Sequence, residues 1–570
     1  MADSAPVEDS TALAEGGLGV WVSEDVRPEV DRCLRRAVAE DVAGRLWRRD
    51  DTLWGPPGAV EVADRLGWLD APRTAAERVE QLEAFVRECR VDGLEEVVLL
   101  GMGGSSLAPE VVRRSLAAAG GPPDPPLRLR VLDSVDPEAI ADTERSVEVE
   151  RTLFLASTKS GGTVETLSLA RHFLARVEER VGHAESGRHF AAITDPGSPL
   201  LELSRERRFR DLFLGDPEIG GRYSALSVFG LVPAALAGAD LRALLAGAAE
   251  GARLCAPERP GADNLGLQLG TIIGALARAG RDKLSLLIDE PLASLGLWLE
   301  QLVAESTGKD GRGIVPVVDE PPAAIERAGR DRLFLALGEP GGEALTRACE
   351  LGAAGHAAVG LPAGGPADLG RLFFLGEVAT AVACWVLGVN AFNQPDVQEA
   401  KTRTSAVLER SDPSGDFVAG GAQAGGAQGG ETDAAAARDL LDGLRAPEYA
   451  AVLAYVPPSE AFDVAAARLR AAIARGTDAA VTFGYGPRYL HSTGQLHKGG
   501  PPTGRFLELV REPGEADLPI PEAGYGFRTL LAAQARGDLD ALHAAGRPAE
   551  RVVLRGDPVR AVERLADELC

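Results

Sequence analysis

The sequence predicts an α/β protein with two doubly wound parallel-sheet domains, an N-terminal helical layer and a smaller C-terminal α/β unit. Short apolar runs alternate with helical patterns from residue 96 onward, which is typical of parallel βαβ units. Two glycine- and serine-rich turns each follow such a run, and turns of this kind lie at the carboxyl ends of strands in open α/β sheets. A glycine-rich stretch around residue 425 sets the last unit apart.

The domain boundaries follow from where these patterns start and stop. Residues 1–20 have the composition of a loose tail, and the helical pattern of 24–95 is expected to pack on the first sheet. The predicted division is tail and helical layer 1–95, first sheet domain 96–250, second sheet domain 251–410, flexible linker 411–435 and C-terminal α/β unit 436–570. The runs that predict strands are 96–100, 127–133, 153–156, 189–194, 284–289, 332–337, 357–361 and 479–483.

Composition narrows the class of protein. The 570 residues are 45% hydrophobic and 25% charged, as in a globular chain, and the net charge of −25 argues against nucleic acid as a partner. No apolar run is long enough to cross a bilayer, and the N-terminus lacks a signal-peptide pattern, so no membrane partner is expected. Six scattered cysteines argue against a zinc site or disulfides and favour a cytoplasmic location.

Lysine is rare in this chain, and its positions are informative. Of the 60 basic residues only five are lysines, at positions 159, 283, 309, 401 and 498. The lysine ammonium is a compact charge, whereas the arginine guanidinium is broad and planar. A chain that uses arginine for most of its cations is expected to keep lysine where a guanidinium does not fit. Four of the five lie in motifs that stand out on other grounds.

The strongest chemical signal is STKSGGTVET at 157–166, between an apolar run and a helical pattern. Backbone N–H groups, hydroxyls and one ammonium are expected to converge there at a helix N-terminus, and this combination predicts an oxyanion-binding site. An ordinary turn capped by Thr163 is the alternative for this motif alone. A second turn, GMGGSSLAP at 101–109, lacks the spacing of the dinucleotide fingerprint. Together the turns resemble the phosphate-binding segments of sugar-isomerase (SIS) domains.

Three further segments offer acid–base or charge-stabilising groups. Arg222 opens a helix after two glycines and can face an anion or a developing enolate, or simply form a surface ion pair. Glu305 ends an apolar helix beside a glycine turn, so it is either a buried general base or a solvated carboxylate. His491 and His497 share one turn, but no cysteine or carboxylate pair stands nearby to complete a metal site.

Five ordered motifs resemble the glucose-6-phosphate isomerase family: GMGGSSLAP, STKSGGTVET, GGRYSALS at 220–227, ESTGK at 305–309 and NAFNQPDVQEAK at 390–401. Residues 45–54 and the C-terminal unit resemble the isomerase half of fused transaldolase–isomerase proteins. The resemblance implies two SIS-type domains and interconversion of glucose 6-phosphate and fructose 6-phosphate through a cis-enediol. It implies neither a metal nor an organic cofactor.

The resemblance also implies a role for each matching residue. Glu305 is expected to move the proton between C2 and C1, Arg222 to stabilise the enediol oxygen, and Glu165 to hold substrate hydroxyls or a water. Lys401 and a histidine are expected to open the sugar ring. The residues implied to bind the phosphate are Gly104, Ser105, Thr158, Lys159, Ser160 and Thr163.

The histidine departs from the family pattern. Residues 310–390 hold only His356, whereas the segment around His491, in the unit beyond the linker, resembles the family's histidine segment. We therefore predict that 436–570 supplies His491, in cis or from a neighbouring subunit. A second copy of the chain and a transaldolase are the protein partners that the resemblance suggests. Three alternatives stay open: an SIS-type sugar-phosphate-binding regulator, an isomerase of another phosphosugar, and an inactive descendant of an isomerase.

Overall fold

The fold consists of three sheets, each with helices packed against it. The computed structural model describes residues 17–122, 127–259, 261–396, 408, 431–512 and 517–570. Two sheets have five strands and one has four, and strand pairing is parallel except at β1. This confirms the predicted fold class. The strands are β1 Gly19–Trp21, β2 Glu96–Gly101, β3 Arg128–Leu132, β4 Thr152–Ser157, β5 Phe190–Thr194, β6 Asp211–Leu214, β7 Lys283–Ile288, β8 Val315–Val317, β9 Arg332–Gly338, β10 Ala357–Pro362, β11 Tyr449–Tyr455, β12 Ala480–Tyr485, β13 Gly504–Arg511 and β14 Ala549–Leu554.

The helices connect and cover these strands. In chain order the described α-helices are Arg27–Ala39, Val42–Trp47, Ala71–Ala76, Val79–Val91, Leu107–Ala118, Pro137–Ser146, Val164–Val181, His183–Ser186, Pro199–Glu206, Val228–Leu236, Leu241–Leu254, Leu265–Arg278, Leu295–Thr307, Pro322–Ile325, Glu343–Ala353, Leu369–Leu387, Glu431–Leu441, Glu460–Ala474, Gly494–Gly499, Phe527–Ala544 and Pro558–Glu568.

The first sheet creates a crevice at its carboxyl edge. Its order is β3-β2-β4-β5-β6, so the chain moves to one side of β2 for β3 and to the other side for β4. Ligands of open α/β sheets bind where the strand order reverses in this way. The two predicted phosphate turns directly follow β2 and β4, and so they flank this point.

The second sheet corrects the prediction for the N-terminus. Its order is β1-β10-β9-β7-β8, with β1 antiparallel to β10. Residues 19–21 are therefore a strand and not part of a loose tail. The Trp21 side chain packs closely against Gly352 and Gly360, which holds this strand in place. The helix Arg27–Ala39 packs on Leu265–Arg278 of the second unit, so the N-terminal layer is not confined to the first sheet.

The third sheet has the order β12-β11-β13-β14. One face is covered by the helices Glu431–Leu441, Glu460–Ala474 and Pro558–Glu568, and the other face meets Phe527–Ala544. The first of these helices begins at Glu431, inside the predicted linker 411–435. Its alanines 434 and 437 are buried, so packing on the sheet stabilises the helix. Residues 411–430 lie outside the described residues.

The C-terminal unit is packed firmly on the other two. One contiguous apolar cluster includes Leu100 from the first sheet, Val317 from the second, and Leu453 from the third. Arg488 pairs with Asp133 of the first unit through two contacts of 2.7 Å. Arg470 donates to the carbonyl oxygen of Val318 in the second unit at 2.9 Å. Burial of this shared apolar surface stabilises one arrangement of the three units.

The prediction that no apolar run is long enough to cross a bilayer is wrong for one described helical stretch, Pro366–Leu387, whose length and composition are sufficient. Within it, 94% of the apolar window is buried inside the protein, as in the core helix of a folded domain. It packs on the helices Leu241–Leu254 and Leu265–Arg278.

Candidate active site

The two glycine- and serine-rich turns lie side by side. Gly101 at the end of β2 is in register with Ser157 at the end of β4, so both turns begin at the same level of the sheet. A Cβ on Gly101 would lie 3.0 Å from the carbonyl oxygens of Ser105 and Ser157. The missing side chain therefore allows the backbones of the two turns to approach each other.

The turn after β4 keeps its hydroxyls inside the turn. Thr163 precedes the helix Val164–Val181, but its side chain makes no capping hydrogen bond and instead lies 2.7 Å from the Thr158 hydroxyl. Thr163 therefore stands at the N-cap position of this helix, but its side chain does not cap it. Gly161 has φ +65°, and a Cβ there would lie 2.3 Å from the Cβ of Ser198. Only glycine fits this position without a shift of the turn.

Lys159 and Ser160 in the same turn already have partners within the protein. The Lys159 ammonium contacts the Asp195 carboxylate at 2.5 Å and donates to the Asp216 carbonyl at 3.0 Å. Burial lowers the pKa of Lys159, while the same desolvation raises the pKa of Asp195. The Ser160 hydroxyl accepts a hydrogen bond from the Gly162 N–H at 3.3 Å. To bind a phosphate, the Lys159 ammonium must either contact the phosphate and the Asp195 carboxylate at the same time or give up its contact with Asp195.

The turn after β2 reaches both the arginine and the histidine segments. A Cβ on Gly104 would lie 2.0 Å from the Gly221 carbonyl oxygen, directly before Arg222. A Cβ on Gly103, where φ is +55°, would lie 2.8 Å from the His491 carbonyl oxygen. Ser105 is buried in the same turn. Glycines here let three segments from distant parts of the chain meet.

Arg222 and Glu305 lie together in the interior. Arg222 is only 4% exposed, so it is not a surface ion pair. Its guanidinium donates to the Ser306 hydroxyl at 2.8 Å and to the Gln394 side-chain oxygen at 2.7 Å, and its Nη1 lies 3.4 Å from Glu305 Oε1. Glu305 is 9% exposed, which rules out a freely solvated carboxylate. A buried carboxylate beside a fixed cation suits a proton transfer that builds negative charge.

His491 reaches the first unit within the same chain. Its Nε2 lies 2.8 Å from Oε1 of Glu165, which is in the first turn of the helix Val164–Val181. An ionised carboxylate can only accept, so Nε2 carries the proton in this contact. Gln301 Nε2 donates to the His491 carbonyl at 2.8 Å and to Glu305 Oε2 at 3.1 Å. Arg222, Glu305, Gln301, His491 and Glu165 thus form one connected set.

Gln301 of this set, and two residues beside the set, Lys309 and Gln534, were not predicted as site residues from the sequence. Gln301 lies one turn before Glu305 on an otherwise apolar helix, and that spacing is a signal that could have found it. Lys309, within ESTGK, donates to the carbonyls of Ser306 and Asn390, and burial next to Arg222 lowers its pKa to about 7. Gln534 contacts Glu165, and nothing in the sequence pattern indicates this. The predicted Lys401 lies outside the described residues.

His497, the neighbour of His491 in sequence, belongs to the core. It is buried, its ring centroid lies 5.0 Å from that of Phe506, and burial lowers its pKa well below the ordinary value. Among the described residues, no group of three or more His, Cys, Asp or Glu side chains is arranged to hold a metal ion. The described cysteines are all free thiols.

The fold and the paired turns at the reversal of strand order define an α/β protein with a candidate anion-binding site at the carboxyl edge of an open parallel sheet. The family model described as Phosphoglucose isomerase matches residues 68–325, a range that includes both turns, Arg222 and Glu305 but not His491. A glucose-6-phosphate isomerase of Rubrobacter xylanophilus is 30% identical over 439 residues, covering 67% of this chain and 96% of the relative. The chain therefore belongs to the glucose-6-phosphate isomerase family.

A second relative agrees with this assignment, and one solved structure is similar in fold and sequence. A glucose-6-phosphate isomerase of Thermus thermophilus is 34% identical over 258 residues, covering 45% of this chain and 58% of that relative. The crystal structure of a hypothetical protein from the same organism matches with a TM-score of 0.57 at 28% identity, covering 68% of this chain and 99% of that one.

Proposed function

We propose that this chain interconverts glucose 6-phosphate and fructose 6-phosphate through a cis-enediol, with Glu305 as the base. The observation that carries the proposal is the connected set of Arg222, Glu305, Gln301, His491 and Glu165 beside two phosphate-type turns. A binding protein needs the turns alone. Membership of the isomerase family agrees with the additional acid–base groups.

The central step is a proton transfer between adjacent carbons. The Glu305 carboxylate removes the proton from C2 of the open-chain aldose, the C–H electron pair forms the C1=C2 double bond, and the negative charge moves to O1. A proton then passes from O2 to O1, Glu305 returns its proton to C1, and the ketone forms at C2. The Arg222 guanidinium lies 3.4 Å from the base and stabilises the enediolate charge.

Ring opening requires a second acid–base group, and we assign it to His491. Glu165 accepts the Nε2 proton at 2.8 Å, which orients the ring and favours one tautomer. The other ring nitrogen is then available to exchange a proton with the sugar. Lys401 is proposed as the partner of His491 in this step on the family motif alone.

The phosphate is proposed to bind at the two turns, where Gly104, Ser105, Thr158, Ser160 and Thr163 provide N–H and hydroxyl donors. The helix Val164–Val181 begins there and adds the positive end of its dipole. Lys159 joins if a phosphate competes with Asp195 for its ammonium. A local site of this kind attracts an anion in spite of the net charge of −25.

We also propose that the units 96–250, 251–410 and 436–570 act as one catalytic body, with His491 delivered in cis. The contact between His491 and Glu165 of the same chain supports this. Removal of 436–570 would expose the shared apolar cluster, so substitution is a better test than deletion. A cytoplasmic location, a second copy of the chain and a transaldolase partner stay predictions.

The test is turnover of fructose 6-phosphate by the purified chain and by Glu305→Gln. Removing the base should lower kcat by about a thousandfold, within the usual range for acid–base catalysis, while the sugar phosphate still binds. The matched control is Glu300→Gln on the same helix, where burial raises the pKa of the carboxyl to about 8 and glutamine mimics the protonated acid. We expect the control to keep kcat within threefold.

Other outcomes identify the alternatives. Binding of the sugar phosphate without turnover by the wild-type chain would identify a regulator. Faster turnover of mannose 6-phosphate or an amino-sugar phosphate would identify an isomerase of another phosphosugar. Full activity of Glu305→Gln would remove Glu305 as the base.

A further inference from the structure

Two donors from the C-terminal unit share one oxygen of Glu165. His491 Nε2 lies 2.8 Å from Oε1, and Gln534 Nε2 donates to the same oxygen at 2.5 Å. Gln534 lies on the helix Phe527–Ala544, whereas His491 lies in the turn that follows β12. The two donors therefore approach a carboxylate of the first unit from separate elements of the C-terminal unit.

The orientation of the Gln534 amide follows from this contact. A carboxylate only accepts hydrogen bonds, so the NH₂ group and not the oxygen must face Glu165. In this orientation Gln534 Oε1 is buried and finds no partner among the residues that the structure describes. An unpaired buried amide oxygen is costly, so the contact with Glu165 dominates the orientation of the side chain.

The helix Phe527–Ala544 also contacts the segment that carries His491. Asp538 lies one turn after Gln534, and its carboxylate accepts from the Tyr489 hydroxyl at 2.7 Å. Its other oxygen contacts the Lys498 ammonium at 2.5 Å. Tyr489 and Lys498 flank His491 in sequence. One face of the helix Phe527–Ala544 thus contacts both Glu165 and the segment that carries His491.

We propose that Gln534 is a positioning residue for the isomerisation: it fixes the Glu165 carboxylate, and through Glu165 it fixes the ring of His491. Gln534 does not exchange protons with the sugar. The inference rests on the proposed function, because it assigns a task to the His491–Glu165 pair. Among the residues that the structure describes, the titratable and charged groups near Glu165 include His491, Tyr525 and, beyond Tyr525, Arg171.

The first test is Gln534→Met, which keeps the length of the side chain and removes the donor. We expect kcat for fructose 6-phosphate to fall about tenfold, as for the loss of one hydrogen bond to a charged group, with KM within twofold. Leu530→Met, one turn earlier on the same helix, is the packing control and should keep kcat within twofold. A kcat of Gln534→Met within twofold of the wild type would overturn the proposal.

The second test is Gln534→Glu, read as a pH profile. At low pH the new carboxylic acid can donate its proton to Glu165 and replace the lost donor. As pH rises, both carboxyls ionise and repel each other, so the donor is lost. The kcat ratio of this variant to the wild type should therefore fall at least threefold between pH 6 and pH 8.5. A ratio independent of pH would indicate a purely structural role and would refute the inference.

The isomerase activity and the positioning role of Gln534 can fail independently of each other. If Glu305→Gln is inactive and both Gln534 variants behave as the wild type, the isomerase stands and the positioning role fails. If the wild type does not isomerise fructose 6-phosphate, the proposed function itself fails, and the Gln534 variants then carry no kinetic effect.

Discussion

Lys309 is a buried lysine in the neighbourhood of the proposed base. Its ammonium donates to the Ser306 and Asn390 carbonyls, while Arg222 holds other carbonyls of the same segment, at Ala391 and Asn393. Burial is the main cause that lowers its pKa to about 7, and repulsion by Arg222 adds to it. Lys309 and Arg222 thus both donate hydrogen bonds to the backbone of residues 390–393.

This lowered pKa predicts a pH-dependent stability. Between pH 7 and pH 10.5 the unfolded chain holds a proton on Lys309 that the folded protein releases, so stability rises with pH across this window. The slope is at most about 1.4 kcal/mol per pH unit. Urea unfolding of the wild type and Lys309→Met at pH 7.5, 8.5 and 9.5 should show the extra slope in the wild type only. Parallel curves for both proteins would contradict it.

At the scale of elements, the turn between β4 and the helix Val164–Val181 depends on one glycine. Gly161 has φ +65° and lies against Ser198, whereas Gly162 beside it has open space where a Cβ would be. A methyl group at position 161 would therefore clash with Ser198, whereas one at position 162 would clash with nothing, although both are glycines of the same motif.

Gly161→Ala is predicted to damage phosphate binding. The added Cβ must displace Ser198 and the turn itself, so the donors of Thr158 and Thr163 move. We expect KM for fructose 6-phosphate to rise about tenfold, the effect of losing about 1.4 kcal/mol of binding. Gly162→Ala is the matched control and should leave KM within twofold. Equal effects of the two substitutions would show that the local backbone does not limit binding.

Elements also show what the sequence could and could not predict. Runs such as 153–156 and 332–337 are wholly buried strands, and their continuous apolar character reveals them. Strands β1 and β8 have only three residues each, too short for a periodic signal. The phosphate turns and Glu305 are predictable because each motif is continuous in sequence. The Gln534 contact joins residues 369 positions apart, so no local pattern encodes it.

At the scale of the whole molecule, the proposed catalytic set is assembled from all three units. Glu165 comes from the first, Glu305 from the second and His491 from the third. The shared apolar cluster and the pair between Asp133 and Arg488 keep the third unit against the first. A histidine far along the chain can serve the site because this interface is built within one chain.

Delivery in cis predicts that two inactive variants cannot rescue each other. A mixture of His491→Ala and Glu305→Gln, unfolded together and refolded to allow exchange, should show no more activity than the sum of the separate proteins. Each chain then lacks one essential group at its own site. The control is a mixture in which one component is wild type, which should keep the activity of that component. Recovered turnover in the double-mutant mixture would indicate delivery between subunits.

Strand β1 has a consequence for how the molecule behaves at high concentration. A sheet edge offers unpaired N–H and C=O groups that can recruit a strand from another molecule. Here the six-residue strand β10 is covered by β1, which pairs over only three residues, Gly19–Trp21, and runs in the opposite direction. A strand so short offers little template for edge-to-edge association. Deletion of residues 1–21 would expose the edge of β10 and make the protein prone to aggregate.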